Sequence, residues 1–148
     1  MTAAVARVVF DTNILVSGHF WKGPPYRCLL VAEARLAVLV LSDPIVSELR
    51  EKLTDKFALP AAEVDAIIDR LSTYSERVHV QGRSGWVSQD PDDDKFIDAA
   101  LSSGATIIVS GDRHLLALGT VERIEILTAR QFLDRLAAVS PEVPGDRP

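Results

Sequence analysis

The run VVFDTN at residues 8–13 sets Val8, Val9 and Phe10 directly against an acid, Asp11. A short apolar segment without polar alternation is the pattern of a strand buried on both faces, as in a parallel sheet between helix layers. An acid just after such a strand stands at its carboxyl end, the edge where open α/β sheets gather ligands and catalytic groups. Segments 7–10, 37–41, 106–110 and 124–127 share this character, each too short for a helix. Helical patterns fill the intervals: 24–36, opening with prolines; 44–53, with Asp43 as N-cap; 61–72; 92–103; 114–118; and 129–138. This alternation predicts a three-layer α/β/α sandwich on a parallel sheet with right-handed crossovers. Residues 78–87 are ambiguous and read as a short strand followed by a glycine-broken loop.

The wider composition agrees with one globular domain: 148 residues, 47% hydrophobic and 25% charged. We expect the domain over residues 1–139 and a flexible tail over 140–148, SPEVPGDRP, where three prolines and no apolar periodicity predict fraying. No apolar run is long enough for a bilayer and the first residues lack the pattern of a secretory signal, so a soluble, cytoplasmic protein is expected. One cysteine, Cys28, excludes an internal disulfide, and His19, His79 and His114 make no zinc spacing with it. The formal net charge of −5 would repel a polyanion unless clustered carboxylates hold cations that reverse the local sign.

Those carboxylates fall in a pattern. Asp112 follows the strand at 106–110 in IIVSGD, as Asp11 follows the first strand, with Ser110 supplying a nearby hydroxyl. Either aspartate alone also reads as a turn or N-cap residue, but two acids at strand ends can converge. Glu48, in PIVSELREKL, borders the apolar stripe of its helix. In DPDDDKFIDAAL, acids at a helix start cap free amides and complement the macrodipole. At about 100° per residue with Phe96 at zero, the apolar stripe centres near ~70°; Asp93 falls at ~60°, Asp94 at ~160°, and Asp98 (~200°) and Asp92 (~320°) face away. An inward carboxylate is costly unless paired or bound to a metal. Asp11, Glu48, Asp93 and Asp112 thus form a candidate cluster of hard oxygen donors suited to Mg²⁺ or Mn²⁺, and to hydrolysis of a phosphodiester by metal-activated water.

At these residues the sequence resembles the PIN-domain ribonucleases, in the branch of VapC-like toxins from toxin-antitoxin pairs. The matching pieces are VVFDTNILVSG, LSDPIVSELREKL and DPDDDKFIDAALSSGATIIVSGDRHLL, in the family's order. The resemblance implies that Asp11, Glu48 and Asp112 are family acids. It places the third acid of the set in the triple aspartate, on Asp93 with Asp94 as the alternative. Asp94 therefore joins the candidate metal ligands, with Thr12, Asn13 and Ser110 as polar support. It further implies a Mg²⁺- or Mn²⁺-dependent endoribonuclease, an RNA substrate, a cognate antitoxin and a homodimer.

Arg113 and His114 adjoin Asp112 and are candidate RNA contacts; Lys22, Arg27, Arg50, Lys52 and Lys95 complete a basic rim in this reading. Phe20 and Trp21 read first as core residues, with stacking on a base or covering a dimer partner as the alternatives. An apolar groove near 24–36 and 44–53 is expected to receive an antitoxin segment or a second copy. Competing readings are a degenerate PIN module that binds RNA or protein without turnover, and a phosphohydrolase of the haloacid-dehalogenase type. The latter wants a second aspartate where Asn13 stands and leaves Glu48 without a role. No glycine-rich turn or phosphate-binding loop supports a nucleotide binder.

Overall fold

The structure is a computed structural model, which describes residues 5–80 and 91–139. Its centre is β1 (Arg7–Phe10), flanked by β2 (Val38–Ser42) and β4 (Ile107–Val109). With β3 (Ser75–Val78), β5 (Thr120–Val121) and β6 (Ile124–Leu127), the six-stranded order is β3-β2-β1-β4-β6-β5. Every pairing is parallel except β5 with β6. The helices are α1 (Thr12–Phe20), α2 (Pro24–Glu33), α3 (Asp43–Glu51), α4 (Ala61–Thr73), α5 (Asp94–Ser103), α6 (Arg113–Leu118) and α7 (Ala129–Val139). They complete the expected three-layer α/β/α sandwich.

Val8, Val9, Phe10, Leu39, Val40, Leu41, Ile108 and Val109 are buried because the central strands are covered by helices on both faces. Phe10 meets Phe132 of α7 edge to face at 5.9 Å. The edge strand β3 has no fully buried residue and carries Glu76 and Arg77, which is why apolar character alone did not reveal it. It ends at Val78, where the ambiguous stretch began; residues 81–87 of that stretch, Asp90, and the expected tail 140–148 lie outside the described residues.

Helix α1 was absent from the sequence reading. Thr12, Ile14, Leu15, Val16 and Gly18 are buried while Asn13 and His19 are exposed, and its polar residues are spread round the helix instead of gathered on one face, so no apolar stripe marks a helical period. Gly18 is where α2 crosses: a Cβ there would lie 2.6 Å from Leu29 Cδ1 and 2.9 Å from the Pro25 carbonyl oxygen. A second difference is the start of α3. Ser42, not Asp43, is its N-cap and accepts from the Ile45 amide at 3.4 Å, while Asp43 occupies the first helical turn and pairs with Arg77. The chain then widens into a π turn at Lys52–Lys56, a form often found beside functional groups.

Helix α5 lies across β1, β2 and β4 and also touches α3. It ends at Gly104, whose φ of 76° supplies the left-handed cap without strain. Its start differs from the helical-wheel expectation. Pro91–Asp93 forms a 3-10 turn, so the 100° step does not apply through Asp93. The first turns of α5 are buried all round, and Asp98, expected to face away, is only 8% exposed. Among the described residues, no helix is long and apolar enough to cross a membrane.

Candidate active site

Register places the first acid. Phe10 of β1 pairs with Val109 of β4, so the residues one step beyond them, Asp11 and Ser110, emerge side by side at the carboxyl edge. The Asp11 amide extends the ladder to the Val109 carbonyl at 3.0 Å. Asp11 is buried at 3% exposure and caps α1, its Oδ1 accepting from the Ile14 amide at 2.9 Å. Its Oδ2 accepts a hydrogen bond from the Ser110 hydroxyl. Burial pushes the Asp11 carboxyl above its usual pKa, against the hydrogen bonds from Ser110, Ile14 and Gly111 and the charge of Lys52.

Ser110 ties the two strand-end acids together. Its Oγ also accepts from the Asp112 amide at 2.9 Å, setting the turn into α6. Asp112 Oδ1 then caps that helix, accepting from His114 N at 2.7 Å and Leu115 N at 3.3 Å. Both Asp11 and Asp112 are therefore N-caps, the structural role each allowed. Capping also fixes their carboxylates at one edge of the sheet. Arg113 is exposed and His114 half-buried in the first turn of α6.

Glu48 reaches the same neighbourhood from α3, which packs against α1 and α5. Burial pushes its carboxyl up, but hydrogen bonds from Lys95 and Thr12 and the charges of Lys95 and Lys52 outweigh burial, so its pKa lies below the usual value. Lys95 donates to Glu48 Oε2. Lys52 Nζ donates to Asn13 Oδ1 at 2.9 Å and stands 3.9 Å from Glu48 Oε1. Thr12, the other donor to Glu48, is buried at 1% exposure.

Thr12, Asn13, Ser110, Asp11, Glu48 and Asp112 are thus linked through direct contacts or shared lysines. The triple aspartate is less closely joined. Asp94 is buried at 2% exposure and Asp93 half-buried, so burial is greater at Asp94 than at the residue the wheel favoured. Asp92, Asp94, Lys95 and Asp98 line a cavity of about 460 Å³ that does not include Asp11, Glu48 or Asp112. Among the described residues, no three His, Cys, Asp or Glu side chains converge closely enough to share an ion. The donor set still fits a hard divalent cation: carboxylates without thiolate or imidazole, including a buried Asp11 whose ionised form needs a positive neighbour.

The supposed basic rim divides. Lys52 and Lys95 lie on the acids themselves, Arg50 is paired with Asp65 at 2.7 Å, and Lys22 is exposed. Sequence spacing placed these cations near the motifs but had no means of pairing Lys95 with Glu48 across 47 residues. Trp21 is not core: it is 59% exposed beside Phe20 and Phe57, whose rings stack at 4.7 Å.

The model of the PIN domain matches residues 7–114, from β1 to the start of α6. The chain belongs to the PIN domain family. Its fold is similar to PAE2754 from Pyrobaculum aerophilum, with TM-score 0.59, 17% identity and 90% of each chain covered. It is also similar to VapBC2 from Rickettsia felis, solved with a DNA fragment from their promoter, with TM-score 0.58, 13% identity, and 81% of this chain and 96% of that one covered. A third similar structure is VapC20 of Mycobacterium tuberculosis, a toxin that cleaves the sarcin-ricin loop, with TM-score 0.54, 16% identity, and 80% and 98% covered. No curated protein matches in sequence.

Proposed function

We propose that this protein is a Mg²⁺- or Mn²⁺-dependent endoribonuclease acting as the toxin of a toxin-antitoxin pair. The observation that carries the reading is the convergence of Asp11, Ser110 and Asp112 at one sheet edge, with Glu48 joined through Thr12, Asn13 and Lys52. Membership of the PIN family and the fold likeness to VapC20 support the class of chemistry. The cation would be held by carboxylates drawn from Asp11, Glu48, Asp112 and one of Asp93 or Asp94, with retained waters bridging those that do not reach it directly. A bound Mg²⁺ or Mn²⁺ supplies charge neutralisation at the phosphodiester and lowers the pKa of water. Ser110 orients Asp11; Thr12 and Asn13 frame Glu48 and Lys52; Arg113 and His114 stand where RNA phosphates would pass.

The antitoxin has a candidate seat. Leu15, Leu29, Leu30, Ile67 and Leu71 line a cavity of about 360 Å³ between α1, α2 and α4, whose wall also includes the paired Glu33 and Arg70. It shifts the expected groove from α3 to α4. The toxin and antitoxin complex VapBC2 supports a protein partner, and a homodimer completes the proposed assembly.

The test is incubation of wild type and Asp11→Asn with a structured RNA pool in Mg²⁺, Mn²⁺ or chelator, with new ends mapped. Cutting that requires metal and vanishes in the variant supports the reading. Absence of both RNA cutting and Mn²⁺ binding favours a degenerate binding module, whereas Mn²⁺ binding without cutting points to a selective nuclease whose RNA the pool lacks.

A further inference from the structure

We propose that Lys95 is the resident counter-ion of the acid cluster: its ammonium occupies the place on Glu48 that a divalent cation takes, so the ion pair and cation binding exclude one another. This rests on the metal-dependent reading of the same site. Lys95 and Glu48 are 19% and 21% exposed, so their hydrogen-bonded contact is partly withdrawn from water. A pair in that setting is less screened than one in open solvent. Glu48 also has Lys52 at 3.9 Å, and Lys52 is itself held by Asn13. Two ammonium groups therefore supply the positive charge that the acids need when no dication is present.

The two lysines differ in what can release them. Lys52 has Asn13 as a second anchor on the site. Lys95 opens on its other side to the cavity of about 460 Å³, whose wall includes Asp98 one turn further along α5. Residues three apart on a helix share a face, so Asp98 is an alternative carboxylate within the range of the long lysine side chain. A dication at Glu48 would repel the Lys95 ammonium toward that wall. The exchange makes the cation concentration at which the site fills depend on Lys95.

The experiment is Mn²⁺ titration by calorimetry, without RNA, of wild type, Lys95→Met, Lys95→Gln and Lys95→Arg, each first shown to be folded by circular dichroism. Removing the competing charge should tighten Mn²⁺ binding roughly fivefold in Lys95→Met and Lys95→Gln, while Lys95→Arg stays within about twofold of wild type. Adding Glu48→Gln to Lys95→Met should abolish the gain. Wild-type binding that is unchanged or weakened in both neutral variants overturns the proposal and leaves the metal-dependent reading intact. Absence of Mn²⁺ binding in wild type and in every variant overturns both. In wild type, Mg²⁺ titration should also shift the Lys95 side-chain ammonium resonance; an unshifted resonance at saturating Mg²⁺ contradicts the exchange.

Discussion

Ser110→Ala removes one hydroxyl and breaks two links at once. The Ser110 side chain is fully buried, donates to the buried carboxylate of Asp11 and accepts from the Asp112 amide at 2.9 Å. Losing a hydrogen bond to a charged buried group costs about 1.5–3 kcal/mol, and an amide left without its acceptor adds about 0.5–1.5 kcal/mol, giving a total of roughly 2–4.5 kcal/mol. For a domain of this size that lowers the melting temperature by roughly 4–18 °C. Urea unfolding at pH 7 measures it directly, with the midpoint moving and the slope unchanged. Because Asp11 and Ser110 act on each other, Asp11→Ala and Ser110→Ala combined should cost at least about 1 kcal/mol less than their separate costs summed. A penalty for Ser110→Ala under about 0.5 kcal/mol, or strict additivity, would refute the bridging role.

Other consequences follow from packing and burial. Gly18→Ala should destabilise the fold by about 1–3 kcal/mol despite the better helix propensity of alanine, because its Cβ meets Leu29 and the Pro25 carbonyl; thermal unfolding reads the sign. Burial pushes the Cys28 thiol and the Tyr74 phenol each up to about 12, from ordinary values of 9.0 and 10.0. Both groups therefore keep their protons in the folded chain after losing them in the unfolded one, so stability should be fully present below pH 9 and decline toward pH 12, a fall that Cys28→Ala with Tyr74→Phe would flatten in urea titrations. Arg135→Ala, which removes the two-pronged pair with exposed Glu125, should change stability by less than about 1 kcal/mol because solvent screens both partners.

Strands β1, β2, β4 and β6 were legible because double-sided burial makes them apolar throughout, and the acids at the ends of β1 and β4 followed from that placement. Helix α1 was not, since its polar residues are spread around it and leave no single apolar stripe to mark the period. A different cause misdirected the helical wheel at α5: a 3-10 turn broke the angular count before Asp94, and burial took in Asp98 as well as the apolar residues. Glu48 was legible at the edge of its stripe. Its pairing with Lys95 was not, because the contact depends on how α3 and α5 lean together at the sheet edge. Trp21 shows the limit of reading aromatic residues as core: it follows the last turn of α1 and projects beside Phe57 instead of inward.

Lys52 and Lys95 give the negative net charge a local meaning. Around the acids the chain already carries cations, held within contact distance of Glu48 or Asn13. A polyanion approaching this edge meets ammonium groups as well as carboxylates, and a dication would shift the balance further toward attraction.

The central claim is that the carboxylate edge hydrolyses RNA with water and not by attack of the neighbouring 2′-hydroxyl. The most direct measurement is single-turnover cleavage, in Mn²⁺, of an RNA cut by the wild-type protein and of the same RNA carrying one 2′-deoxy nucleotide at the scission point, with product ends identified by mass spectrometry. The account predicts that both are cut to linear phosphate ends and that Asp11→Asn cuts neither. A cyclic phosphate product, or a deoxy substrate left intact, would contradict it.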